Sequence, residues 1–328
     1  MKDSREIIFA NLERCDAPRS GLNFDGGRMD DLLIVQPGPA AGYTPLRRVE
    51  GDQEYYDDDW GNLWVRMVGG CVKGEILTPV LDDWSKLAAM KIPDYGRDEC
   101  WAEMARAFKA EPERFRLAHI GGWIFDNSRY LRKLENYLLD LALYPDELNQ
   151  LHEKVACVYE TKIRMAARTG ADGIWIGEDL GTQTSTLFSP EMFREYFKPL
   201  YSRLMGLAHE LGMKVFLHSC GCNRALLDDL MDCGVDCFQF DQPRIYDMPE
   251  LAAMLGRRKA VLWAPVDIQK VMPTGDRALI ESEVDSMVQL FGGGLIFKNY
   301  PDLPGIGVKP EWDQWAYELM TKGGLCGD

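Results

Sequence analysis

Lys214-Val215-Phe216-Leu217-His218-Ser219-Cys220-Gly221-Cys222 is the stretch whose reading decides the fold. An apolar run ending in Ser, Cys and Gly reads as a short buried strand entering a turn. Side chains two apart on a strand share a face, so His218 and Cys220 point one way and Leu217 and Ser219 the other. An imidazole and a thiol therefore stand together at one strand end. Both are zinc donors, and a tetrahedral site needs one or two ligands more, with one position open if the metal is catalytic. Cys222 offers a further thiol. A His-x-Cys pair also suits a structural histidine beside a buried free cysteine; the strand-end position is what favours a metal.

Working outward, strand-like and helical segments alternate from Arg114 onward. Strand 115–120 leads to a helical tract over 128–169 with a fresh start at Pro145, and strand 172–179 leads to a helix that Ser189 caps and Pro190 opens. The unit then repeats: strands 214–220, 235–241, 259–266 and 295–300, with helices at 223–233, 248–256, 275–291 and 310–321. Such alternation means parallel pairing through right-handed crossovers, and this many units predict a (β/α)8 TIM barrel formed by residues 1–328 as one domain. An open doubly wound sheet is the alternative, but no Gly-rich dinucleotide fingerprint follows any strand. The first hundred residues read as an N-terminal extension: a short helix over 4–14, a first strand within 17–25, and a hairpin of 57–67 with 75–80 that closes one end of the barrel or overhangs its mouth.

Barrel active sites lie where strands end and βα loops begin. This places Gly121-Gly122-Trp123, Glu178-Asp179, His218 to Cys222, Asp241-Gln242, Pro265-Val266-Asp267 and Asn299-Tyr300 around one mouth. Trp123, Phe125, Trp175, Trp263, Phe297 and Tyr300 fall at or near strand ends, where aromatics grip a flat substrate or cofactor, although they also fill barrel cores. Asp241, Asp267 and Asn299 are candidates to orient polar substrate groups, and Asp241 equally suits a hydrogen bond to a metal ligand.

Composition narrows the classes. With 52 acidic against 37 basic residues, a formal net charge of −15 and no Lys/Arg-rich run, the chain is a poor partner for nucleic acid or anionic membrane. No signal-like or membrane-spanning apolar run occurs, so a cytoplasmic protein is expected. Nine cysteines without a secretory signal predict free thiols; Cys15, Cys71, Cys100, Cys157 and Cys326 are scattered, and Cys233 and Cys237 are expected to pack in the core.

The element His218-Ser219-Cys220-Gly221, with Leu226-Leu227-Asp228-Asp229-Leu230 and Cys233-Gly234-Val235-Asp236 behind it, resembles the uroporphyrinogen decarboxylase superfamily. Within it, the chain is similar to the zinc-dependent, corrinoid-linked methyltransferase branch, which includes methylcobalamin:coenzyme M and O-demethylase methyltransferases. Asp59-Trp60-Gly61, Gly177-Glu178-Asp179-Leu180-Gly181, Ser189-Pro190-Glu191-Met192-Phe193 and Val266-Asp267-Ile268-Gln269 with Met272-Pro273 carry the likeness from about residue 57 to the end. The resemblance implies zinc at the barrel mouth with His218 and Cys220 as ligands. The family's later cysteine is missing from Ile296-Phe297-Lys298-Asn299-Tyr300-Pro301, which leaves Glu178, the favoured substitute, or Cys222 as third ligand. It also implies methyl transfer between a small-molecule donor or thiol acceptor, a methoxylated aromatic among the candidates, and a corrinoid. The Asp-x-His-x-x-Gly motif of corrinoid-binding proteins is absent, so the corrinoid is expected on a partner protein. A decarboxylase is less expected, because the family's Arg-containing N-terminal motif is missing and only Arg19 lies near its place. A non-catalytic zinc- or ligand-binding barrel is the third reading.

Overall fold

The computed structural model describes residues 2–69 and 73–323; Cys71 and Cys326 lie outside the described residues. The strands are β1 (Gly21–Asn23), β2 (Leu32–Val35), β3 (Arg47–Glu50), β4 (Gln53–Asp57), β5 (Leu63–Met67), β6 (Glu75–Thr78), β7 (Phe115–Gly122), β8 (Gly173–Gly177), β9 (Lys214–His218), β10 (Cys237–Gln239), β11 (Val261–Ala264) and β12 (Leu295–Lys298). Eight of them form one parallel sheet in the order β1-β12-β11-β10-β9-β8-β7-β2. Strand–helix alternation curls this sheet into a nearly closed (β/α)8 barrel. From β7 onward every strand is followed by helix, the longest being Pro145–Arg168, which starts on the expected proline.

The alternation fails between β1 and β2, where residues 24–31 form a turn with no helix. Asp31 closes this seam. Its backbone N–H donates to the Leu22 carbonyl at 2.7 Å, while its buried carboxylate accepts from the Leu22 N–H at 2.8 Å and from the Arg19 guanidinium at 2.6 Å. Arg19 is thus a structural partner of the seam.

Two apolar layers follow from period-two strands. Outward residues meet the helices; inward ones, among them Phe115, Leu117, Phe216, Val261, Trp263 and Ile296, fill the barrel. Ile8 and Leu12 of the first helix, Ser4–Glu13, join the inner cluster and are buried. Removing either side chain down to alanine would cost roughly 2–5 kcal/mol by the usual core penalty. Cys233 and Cys237 are buried as expected.

The expected hairpin is present as β5–β6 and is half of a four-stranded antiparallel sheet, β3-β4-β5-β6. Trp64 fixes it to the helix Ile124–Arg132, with its ring edge-on to Tyr130 at 4.9 Å and its indole N–H on Asp58 at 2.7 Å. It contributes no side chain, among the described residues, to the cleft at the barrel mouth. Among the described residues, no helix is long and apolar enough to cross a membrane.

Candidate active site and metal centre

His218 ends β9, and two steps further along the same face comes Cys220; His218 Nε2 and Cys220 Sγ are 3.4 Å apart. Asp179 arrives from the end of β8, with its Oδ1 3.7 Å from His218 Nε2 and accepting the Cys220 N–H at 3.0 Å. One ligand atom from each of the three lies within 4.8 Å of the others. Two ligand atoms on one tetrahedral zinc stand roughly 3–4 Å apart, so thiol, imidazole and carboxylate are spaced to share a cation, with a fourth position left over.

The loops are laced so that this spacing holds. Gly221 turns the chain with φ of +81°, which favours glycine. Ser219 Oγ donates to the Glu178 carbonyl, Cys222 N–H donates to the Thr182 carbonyl at 2.7 Å, and Tyr246 OH donates to the Gly221 carbonyl at 3.0 Å.

A relay behind the imidazole sets its tautomer. The Asp241 carboxylate accepts from Lys298 Nζ at 2.8 Å and from Gln239 Nε2 at 2.7 Å. The Gln239 amide is thereby oriented with its oxygen on His218 Nδ1. An amide oxygen only accepts, so Nδ1 carries the proton and Nε2 turns its lone pair toward Asp179 and Cys220. Burial acts to raise the Asp241 carboxyl, but the Lys298 ammonium, His218 and the two hydrogen bonds outweigh it and hold the group below the usual carboxylate value. Desolvation of the Cys220 thiol, followed by the nearby Asp179 and Asp241 carboxylates, pushes that thiol upward. A cation held among the three donors would reverse this, because a coordinated thiol is deprotonated.

Glu178 is not among these donors. Along β8, Trp175, Gly177 and Asp179 take the inward face, which sends Glu178 outward between barrel and helices. There it is fully buried, its carboxylate accepting the N–H groups of Phe125 at 2.9 Å and Asp126 at 2.8 Å and the Tyr201 hydroxyl. It caps the helix Ile124–Arg132, and burial followed by Asp126 raises its carboxyl well above the ordinary range. Asp179 therefore stands where Glu178 was expected. Cys222 lies beyond the Gly221 turn and outside the group.

Of the three donors His218 lines a cleft of about 600 Å³, together with His119, Trp175, Gly177, Gln239, Asp241, Lys298 and Tyr300, among others. Of the six expected aromatics, Trp175 and Tyr300 line it, while Phe125 and Phe297 are buried in the core. Trp263 is one layer below, its ring 5.0 Å from Trp175. Trp123 lies behind the wall, fully buried against Tyr159 and Tyr201. Asn299 also faces away and accepts the Asp25 N–H at 3.3 Å. His119, Gln239 and Lys298 are cleft residues that strand-end reading passed over, and Asp179, placed at the mouth with Glu178, was not chosen as a donor; the first three stand on inward positions within strands, where the two-residue period could have found them.

Residues 65–313, more than half of the 328, match the family model described as Uroporphyrinogen decarboxylase (URO-D). The chain belongs to the URO-D family. A curated relative, the methylated-thiol–coenzyme M methyltransferase of Methanosarcina mazei, is 29% identical over 112 residues, which are 34% of this chain. The match spans 28% of that protein's length. A solved structure, a methyltransferase from Methanosarcina mazei, superposes with a TM-score of 0.69 over 98% of this chain and 99% of that one, at 13% identity. This likeness shows that the barrel fold extends over nearly the whole chain.

Proposed function

We propose that this protein moves a methyl group between a small molecule in the cleft and a corrinoid carried by a separate protein, at a zinc ion held by Asp179, His218 and Cys220. The observation that carries the reading is the three-donor group with a histidine whose tautomer is fixed for coordination. A soft thiolate, an imidazole and a carboxylate with one position open fit a catalytic zinc. Zinc bound there would favour the thiolate of a thiol acceptor, or draw charge from the oxygen of a methoxylated donor. Likeness to a curated methyltransferase supports methyl transfer.

The chain's own residues supply position. Gln239 and Asp241 hold the imidazole, Lys298 holds Asp241, and the Trp175 face gives a flat floor on which an aromatic donor or an aliphatic thiol can lie shielded from water. Gly177 leaves open space above that floor. The cleft opens at the rim of the barrel, so the corrinoid partner docks over the mouth. A decarboxylase acting on a polycarboxylate is less well served, because Asp241 and Asp302 line the cleft and, among the described residues, Lys298 is the only Lys or Arg that lines it.

The test is an assay of the zinc-loaded protein in both directions: methylcobalamin with a panel of thiols, and methoxylated aromatics with reduced cobalamin. Transfer that disappears in His218→Ala and Cys220→Ala is the expected result. No transfer in either direction, or transfer indifferent to Cys220, would overturn the reading.

A further inference from the structure

His119 has no part in the proposal above, yet it is presented to the cleft by a dedicated piece of architecture. β7 and β8 pair in register up to His119–Trp175 and resume one residue out of step at Gly121–Ile176, which makes Ile120 the extra residue of a β-bulge. Gly121 carries the bulge with φ of +94°. Lys162, from the helix Pro145–Arg168, donates from Nζ to the Ile120 carbonyl at 3.1 Å, and its ammonium lies 4.1 Å from the centre of the Tyr95 ring. Burial lowers Lys162 to about 8, with Asp59 opposing. A buried ammonium is costly, and this one secures the bend next to a cleft residue, as bulges beside active sites do when they re-aim a side chain.

The ring's protonation follows from its neighbours. Gln36 Nε2 lies 2.8 Å from His119 Nδ1. An amide nitrogen only donates, so Nδ1 accepts and the neutral ring carries its proton on Nε2, the nitrogen left for the cleft. Burial, then Lys162 and His218, lower His119 to about 4, so the ring is neutral at pH 7. A tilted contact with the Trp175 ring, 4.3 Å between ring centres and 31° between planes, restrains it.

We propose that His119 is a substrate-binding residue whose Nε2–H donates to a hydrogen-bond acceptor on the small molecule, remote from the atom that exchanges the methyl group. Lys162 is the positioning residue behind it. The substrate class is thus a small donor or thiol bearing an accepting oxygen, such as a hydroxyl, ether or carboxylate. This rests on the methyl-transfer reading, and the two fail in different ways.

The experiment compares 2-mercaptoethanol with ethanethiol, which lacks the oxygen, as acceptors from methylcobalamin, together with nitrogen-15 NMR of the histidine rings at pH 7. Wild type should show Nε2–H at His119 and favour 2-mercaptoethanol in kcat/KM by about tenfold, the usual scale for one buried hydrogen bond. His119→Phe should erase that preference through KM with zinc content unchanged, while His119→Gln, which keeps a donor, retains part of it. Lys162→Met should weaken the preference and Lys162→Arg restore it. An Nδ1–H tautomer in wild type overturns the proposal whatever the activity. A preference absent from an active wild type, or unchanged in His119→Phe, also overturns it. Absence of transfer to both thiols defeats methyl transfer instead, and the NMR then decides the donor geometry alone.

Discussion

Gln239 touches no candidate metal atom, yet the imidazole's tautomer depends on it. Its amide is held by Asp241 so that the oxygen must face His218 Nδ1. Gln239→Leu leaves all three donors in place and frees the ring to adopt the other tautomer. Zinc affinity should fall about ten- to a hundredfold, the usual effect of removing an orienting partner, as read by competition with a chromogenic chelator. An unchanged affinity would show that the relay does not orient the ligand. At this scale the sequence was partly legible. His218 and Cys220 were found because they share a face at a strand end. Asp179 was passed over for Glu178, although the alternation that pairs His218 with Cys220 also sets Trp175, Gly177 and Asp179 on one face and turns Glu178 away. The helix cap that occupies Glu178 is a contact between segments more than fifty residues apart, and no local pattern announces it.

Two loops, those after β8 and β9, make the donor group. They approach so closely at Gly181 and Gly221 that a Cβ on Gly221 would collide with the Gly181 backbone, and the positive φ adds strain. Gly221→Ala should push the loops apart, separate Asp179 from His218 and Cys220, and destabilise the protein by about 1–3 kcal/mol, the usual cost of strain and overpacking. Urea unfolding and zinc content of the same preparation check it; full stability with full zinc would contradict the close approach. Elements with buried faces were readable: β7 to β12 and their helices fall where alternation and caps place them. β3 was not, because all four of its residues are exposed and it has no apolar rhythm to read. β2 follows a helix-free turn, and its seam depends on the Asp31 carboxylate, a contact invisible to periodicity.

For the whole molecule, stability against pH carries the signature of a buried neutral histidine. His152 is buried, with its ring bonded to the Tyr137 hydroxyl at 2.7 Å, and burial lowers it from 6.5 to about 3. Between those limits the unfolded chain binds a proton that the folded chain refuses. Folding stability therefore falls as pH drops from about 6.5 toward 3, by about 1.4 kcal/mol per unit for this group, and the contribution is level above 6.5. His152→Phe should flatten that part of a urea-midpoint profile; an unaltered slope would place the titrating group elsewhere. Barrel class and mouth were legible at this scale because alternation of strand and helix is a long-range rhythm.

The central claim is that Asp179, His218 and Cys220 hold the metal, and elemental analysis of the zinc-supplemented protein tests it most directly. Wild type, Glu178→Ala and Cys222→Ala should each carry close to one zinc per chain, whereas Asp179→Ala, His218→Ala and Cys220→Ala should lose most of it. Zinc retained in His218→Ala and Cys220→Ala, or lost from a folded Glu178→Ala while Asp179→Ala keeps it, would contradict the account.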